Sequence, residues 1–263
     1  MGLPIRFINL DRAEERRTFM ERQSERFGLA LERVRAVEAG DIAADDRVRL
    51  AASWERPLSG AELGCFLSHR GQWERIARED RPALILEDDA VFSRRLTEAL
   101  PAAVAAKGID LLNLEDFGKR RFLEKGEGEL LAAGVRRLRC RRDKAGSGAY
   151  LLWPSGARKL LARAAGRAAP ADAFLHGAGL EAFVCEPPLV MQADILAARG
   201  AARQISTASS IQTAGGARSE RPRRGARFLA RRAATQVKLL PHHLARLGWT
   251  DYRRVEVDDS DFI

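Results

Sequence analysis

Hydrophobic and polar positions along the chain switch between a period of two and a period of three to four, and each switch marks an element. Leu3, Ile5 and Phe7 alternate ahead of Ile8-Asn9, which predicts a strand over residues 3–9. A polar stretch starts at Asp11, a candidate N-cap, and carries Phe19, Met20 and Phe27 as a sparse apolar face, predicting a helix. LALERVRAV, residues 29–37, reads as a short strand, followed by a polar loop through residue 58. Ser59-Gly60-Ala61-Glu62 has the form of a capping box. Leu63, Phe66, Leu67, Trp73, Ile76 and Ala77 then recur at helical spacing, predicting a helix from about Ser59 to Glu79. Ala83-Leu84-Ile85-Leu86 is an unbroken apolar run, the pattern of a strand covered on both faces in a parallel sheet, and it stops at Glu87-Asp88-Asp89.

The rhythm continues beyond the triplet. Ser93 can cap a helix through about Ala106, and Asp110-Leu111-Leu112-Asn113-Leu114 reads as another buried strand. Residues 118–134, rich in charge and glycine, predict an irregular loop or small hairpin over the site. Strands follow over 135–140 and 148–153, and Pro154-Ser155 opens a helix containing Leu160 and Leu161. Strand and helix alternating in this way predict an α/β domain. From about Ala214 the texture changes to an arginine-rich stretch, so the expected division is residues 1–213 as the domain and 214–263 as a basic extension. In that extension Phe228, Leu229, Val237, Leu239, Leu240, Leu244 and Leu247 predict amphipathic helical pieces interrupted by Pro241, and the acidic end EVDDSDFI is expected to be mobile.

Composition narrows the class. With 263 residues, 46% hydrophobic and 31% charged, the chain suits one folded domain with an extension rather than a disordered chain. Its net charge of +9 favours an anionic partner, which could be nucleic acid, an acidic lipid surface or an acidic glycan. Only 6% of residues are aromatic and the tail shows no RNP, zinc-finger or RGG pattern, so no nucleic-acid partner is expected. Cys65, Cys140 and Cys185 lack C-x-x-C spacing and suggest neither a disulfide framework nor a cysteine zinc site. The start of the chain carries no apolar signal region, and no apolar stretch nears the roughly 18 to 20 residues of a membrane span. The expected location is the cytoplasm, with the basic extension in peripheral contact with an anionic membrane on its inner face.

Four residue sets carry candidate chemistry. In an open α/β sheet ligands bind beyond the carboxyl ends of the strands, where Glu87-Asp88-Asp89 stands. Adjacent carboxylates repel unless a cation or several donors neutralise them, and hard oxygen ligands suit Mn²⁺ or Mg²⁺; the bland alternative is a solvated turn. Cys65, Ser68, His69 and Gln72 fall on one helical face as a polar stripe. Asp172 follows Pro170 in a stiffened loop, and Arg16 or Arg17 could reach a phosphate or simply form a solvated helix face.

Taken together, FINLDRAEERR, LSGAELGCFLSHRGQWERI, ALILEDDAVF, SGAYLLWPSGARKLL, PADAFL, PPLVMQ and SSI resemble glycosyltransferase family 25 in content and order over roughly residues 5 to 211. That family includes bacterial lipooligosaccharide galactosyltransferases and collagen-type galactosyltransferases. The resemblance implies a GT-A type, Rossmann-like nucleotide-sugar-binding fold, a UDP-sugar donor, commonly UDP-galactose, and a glycan or glycolipid acceptor, with inversion at the transferred carbon. Carried onto this chain, it makes Glu87 and Asp89 ligands of Mn²⁺ or Mg²⁺ in a DXD-like motif and gives Asp88 a donor contact. Asn9, Leu10 and Arg12 would contact the nucleotide, and Ser68 and His69 would line the donor site. Asp172 is the first choice for the base that deprotonates the acceptor, with Glu181 or His176 as rivals and Asp172 then in a supporting role. Absence of a secretory signal favours the bacterial surface-glycan branch over the collagen branch. A basic nucleic-acid-binding module and a catalytically degenerate scaffold are the alternative readings.

Overall fold

All five residues of β1 (Ile5–Asn9) are buried, because the strand has a neighbour on each side in a sheet covered on both faces. The computed structural model describes residues 2–143, 146–201, 205 and 226–262. The boundary expected at 213/214 and the SSI segment lie outside the described residues.

β1 sits between β2 (Leu31–Arg35) and β3 (Ala83–Glu87), parallel to both. Next to β3 comes β10 (Ala149–Leu152), antiparallel, and then β5 (Leu111–Asn113), which is parallel to β11 (Ala182–Glu186). The sheet continues antiparallel through β9 (Arg136–Arg142) and β7 (Arg121–Glu124) to β13 (Thr250–Arg253), with β8 (Glu129–Leu130) paired to β9. The apolar run at 83–86 predicted a parallel sheet; the sheet is mixed, because β10 returns between β3 and β5. Burial on both faces, the physical content of that prediction, is present. Leu84 and Leu86 enter one core while Ala83 and Ile85 enter the other.

On the first face pack α1 (Glu14–Phe27), through Phe19 and Met20, and α4 (Leu96–Ala105), through Leu96, Ala99, Leu100 and Ala103. On the second lie α3 (Gly60–Glu79), α5 (Pro154–Ala164) and α6 (Ala171–His176), which contribute Phe66, Trp73, Leu160 and Phe174. Each fully buried large side chain contributes roughly 1.5–3 kcal/mol relative to exposure. The capping box predicted for α3 forms in both directions, Glu62 N–H to Ser59 Oγ at 3.2 Å and Ser59 N–H to Glu62 Oε2 at 2.9 Å. A small second sheet of β4 (Ala90–Phe92), β6 (Glu115–Asp116) and β12 (Val190–Gln192) stands beside the triplet.

Several expectations are corrected. Residues 38–58 are not all loop: α2 (Ala44–Ala51) buries Leu50 against the second core. Asp11 does not cap α1, whose N-cap is Ala13. The Asp11 carboxylate is drawn to the neighbouring strand by Arg33 at 2.5 Å and Arg35 at 2.8 Å. The acidic end of the chain is anchored. Asp261 is buried and accepts from Arg94 (2.9 Å) and Arg95 (2.6 Å), Phe262 enters the first core, and β13 extends the sheet beyond β7. Beyond α7 (Ala193–Ala198) and before β13, α8 (Ala226–Ala245) is a single helix that continues through Pro241.

A candidate active-site cleft

The carboxyl ends of β1 and β3 and the amino end of β10 meet at one edge of the sheet, where Asn9, Glu87 and Ala149 stand. A cleft of about 510 Å³ opens there, with Glu62, Cys65, Glu87, Ser147, Asp172 and Gln192 in its wall. The triplet thus stands at the end of β3, with Glu87 lining the cavity, and Asp172 shares that cavity although 85 positions separate it from Glu87 in sequence.

The three acids have different surroundings. Glu87 faces the cleft. Ser147 Oγ donates to its Oε1 at 2.8 Å, and His69 Nε2 lies 3.4 Å from the same oxygen. Burial works to raise the Glu87 carboxyl, but these two groups and Arg16 together hold it below the usual range. Both oxygens of Asp88 are engaged: Asn9 Nδ2 donates to Oδ2 at 2.7 Å and Arg16 to Oδ1 at 2.7 Å. Asp88 therefore ties β1 and α1 to the triplet, and a contact from it to a ligand requires one of these partners to yield. Asp89 is pushed up to about 7 by burial and by the charge of Glu87, against the nearby Arg16. Its Oδ1 is buried without a hydrogen-bond partner among the described residues.

That orphaned oxygen and the Glu87 carboxylate are both hard-oxygen donors of the kind that suits Mg²⁺ or Mn²⁺. The tightest convergence of potential ligands among the described residues is Cys65, His69 and Glu87, whose ligating atoms lie within 4.8 Å of one another. A softer ion there would need a thiolate. Burial and the surrounding carboxylates, Glu87 first, push the Cys65 thiol well above its ordinary range, so the oxygen set is the better fit.

Behind His69 stands a chain of hydrogen bonds that the sequence did not announce. Trp73 Nε1 donates to the Tyr150 hydroxyl at 3.0 Å, and that hydroxyl lies 2.9 Å from His69 Nδ1. With the indole N–H occupying one acceptor position, the Tyr150 proton is directed to Nδ1, which places the imidazole proton on Nε2 and toward Glu87. Tyr150 is fully buried, one layer back from the cleft wall.

The loop carrying Ser147 is fixed by buried polar groups. Glu115 accepts from Gly148 N–H at 2.8 Å, and Asn113 Nδ2 donates to the Gly146 carbonyl at 3.2 Å. Burial and Glu87 push the Glu115 carboxyl well above its ordinary value. A Cβ at 146 or 148 would stand 2.7 or 2.5 Å from a Glu115 oxygen, and Gly146 also has φ +104°, so the G-S-G sequence is what this approach requires.

Other anticipated residues are placed as follows. Ser68 Oγ donates to the Gly64 carbonyl and accepts from Val37 N–H, both at 2.8 Å, so its hydroxyl brackets α3 to the chain after β2 instead of opening onto the cleft. Arg12 is exposed and pairs with Glu38, and Leu10 packs at the margin of the second core. Arg16 balances the acids, while Arg17 faces Glu21 on the helix surface. Asp172 lines the cleft, its Oδ1 accepting from Ala173 N–H at 2.6 Å, and burial raises its carboxyl. Of the rival bases, Glu181 lies at the far edge of the sheet beside Asp110 and pairs with Arg139, outside the cleft. His176 Nε2 is 2.8 Å from the Gly146 carbonyl, so it must carry its proton there and brace the loop.

Residues 3–175 match the family model described as glycosyltransferase family 25 (LPS biosynthesis protein). The chain belongs to glycosyltransferase family 25. A "Glycosyltransferase 25 family member" of Aedes aegypti is 33% identical over 172 residues, 60% of this chain and 27% of that protein. One from Anopheles gambiae is 35% identical over 137 residues, 47% of this chain and 23% of the relative. Human "Procollagen galactosyltransferase 2" is 30% identical over 186 residues, covering 65% and 29%. The chain thus spans less than a third of the length of these curated relatives. For this family 25 chain, the large mixed sheet with helices on both faces fits a Rossmann-like glycosyltransferase fold.

Proposed function

We propose that this chain is an inverting, metal-dependent hexosyltransferase of GT-A type that moves galactose from UDP-galactose to a saccharide hydroxyl of a bacterial surface glycan. The observation that carries the reading is the juxtaposition of Glu87 with Asp172 in one cleft at the carboxyl edge of the sheet, with the orphaned oxygen of Asp89 buried two positions along the chain from Glu87. Galactose as the sugar is favoured by the activity for which the procollagen relatives are named. The surface-glycan setting follows the description of the family model.

Glu87 and Asp89 would hold Mn²⁺ or Mg²⁺, whose charge neutralises the diphosphate as the nucleotide leaves. Asn9 and Arg16, fixed on Asp88, keep the acids in register with the end of β1, beside which the nucleotide lies. Asp172, whose carboxyl burial raises above its ordinary value, takes the acceptor hydroxyl's proton as its oxygen attacks the anomeric carbon from the face opposite the leaving group. His69, oriented by Tyr150, holds the Glu87 carboxylate from behind.

A panel of UDP-sugars with and without Mn²⁺ tests the assignment, read both as a rise in melting temperature and as UDP release. UDP-galactose with Mn²⁺ should stabilise the fold most. Asp172→Asn should keep that stabilisation while losing about 10²–10⁴-fold in transfer. Indifference of the protein to every UDP-sugar and to Mn²⁺ would refute the reading.

A further inference from the structure

α8 presents two opposite faces. Its inner face is docked on the domain: Arg231 donates to the Ala52 and Trp54 carbonyls at 2.7 and 2.9 Å, and Thr235 bonds to Glu55. Further along, Phe122 of β7 packs against His242 and His243. Leu229, Ala233, Val237, Leu240, Leu244 and Leu247 follow one another at spacings of three and four, so they form one stripe, and it lies on the side away from those contacts. The large members of the stripe are all exposed, Val237 at 69% and Leu247 at 88%, and Trp249, 68% exposed, follows at the end of the helix. Scattered exposed leucines need no explanation; a five-turn apolar stripe on a helix already docked by its other face does.

Charge selects what covers it. Residues 221–250 hold eight Arg and Lys and no Asp or Glu, which leaves the rest of a chain of net charge +9 close to neutral. Two copies of such a stretch repel one another. An apolar stripe with Arg232 and Arg246 exposed outside it and a tryptophan at its end has the composition of a helix lying in the headgroup layer of an anionic bilayer. No helix among the described residues is long and apolar enough to cross a membrane, so the contact is with the surface.

We propose that the outer face of α8, with Trp249, docks this protein on an anionic phospholipid bilayer. Trp54, whose carbonyl anchors the inner face, also lines the cleft, so the docked helix holds the cleft close to the membrane, where a lipid-linked acceptor is presented. Docking does not depend on which sugar is transferred, so its test is separate from that of the enzyme activity.

The full chain is sedimented with vesicles of phosphatidylcholine alone and of phosphatidylcholine with phosphatidylglycerol, at low and high salt. Binding is expected only to the anionic vesicles and should weaken with salt. The exposed double substitution Leu240→Gln with Leu244→Gln should leave the melting temperature in place and reduce partitioning by about tenfold or more. Three results would overturn the proposal. These are equal binding to neutral vesicles, salt-sensitive binding that ignores the double substitution, and a wild-type dimer that the substitution converts to a monomer without any vesicle binding. UDP release measured on the same variant should be unchanged.

Discussion

At the scale of single residues, the site is a set of carboxylates given different characters by what surrounds them. Asp89 has the sharpest consequence. Its ordinary carboxyl value of 3.8 becomes about 7 in the folded, metal-free protein, so the folded state holds that proton more tightly than the unfolded state does. The sign follows: stability falls as pH rises from about 4 to about 7, where the folded protein must lose the proton. Asp89→Asn removes the effect. Each tenfold difference in proton affinity between the two states is worth about 1.36 kcal/mol. The variant should therefore gain on the order of 2–4 kcal/mol over wild type at pH 8 and nothing at pH 4, as measured by melting in chelator. An equal gain at both pH values would mean that Asp89 is not crowded as described. Tyr150→Phe tests the layer behind. Loss of the hydroxyl strands the Trp73 indole N–H and releases His69 Nδ1, costing about 1–3 kcal/mol. If Tyr150 orients His69, turnover per folded molecule should also fall in the variant, because the imidazole is no longer held against Glu87, whereas a purely structural role would leave it unchanged. The triplet and Asp172 were legible as residue types next to strand and proline. The roles of Tyr150, Ser147 and Glu115 were not, since hydrogen-bond partners 33 to 81 residues apart leave no local pattern.

At the scale of elements, β1, β3, α3 and α5 emerge where the periodicity puts them, because each has a face committed to a core and a defined start. α3 shows the strength of such signals, with its capping box, apolar spacing and end at Asp80 all agreeing with one structure. α2 was hidden because only Leu50 among its residues is buried, so its eight positions carry no stripe to read. The order of strands was also out of reach, since the return of β10 between β3 and β5 is a choice among long-range pairings. The N-terminal edge of the sheet offers a prediction of its own. Arg6, wholly buried in β1, reaches Glu79 at the end of α3 at 2.6 Å and Glu32 of β2 at 3.4 Å, while its Nη1 finds no acceptor among the described residues. Burial of Glu79 opposes its ionisation, but Arg6 and Arg75 hold its carboxyl down to about 2. Glu79→Gln leaves the guanidinium buried with only the more distant Glu32, which should destabilise the protein by about 2–4 kcal/mol. Denaturant unfolding at neutral pH measures this, and replacing Arg6 with Met in the same background should recover part of the loss.

At the scale of the whole molecule, the end of the chain is either an appendage or a part of the domain. Two features of the sequence favour an appendage: a change of texture near residue 214 and an acidic terminus with no apolar stripe. The structure joins residues 250–262 to the domain by three independent means. β13 pairs with β7, Val255 and Phe262 enter the cores, and the buried carboxylate of Asp261 bridges Arg94 and Arg95 at the start of α4. No local pattern carries this, because its partners lie 60 to 167 positions upstream and because the acidic run of EVDDSDFI gives no apolar periodicity to read. An appendage could be removed at no cost, whereas ending the chain at Trp249 would leave β7 as an unprotected edge and bare two patches of core. The truncated protein should therefore melt at a clearly lower temperature and associate at concentrations where the full chain does not. Asp261→Asn is the milder form of the same test, leaving Arg94 and Arg95 short of a charge and costing about 1–3 kcal/mol. If both variants melted with the wild type, the last residues would be a decoration on an independent fold. If both are destabilised in that order, the anchored end is part of what holds α4 against the sheet.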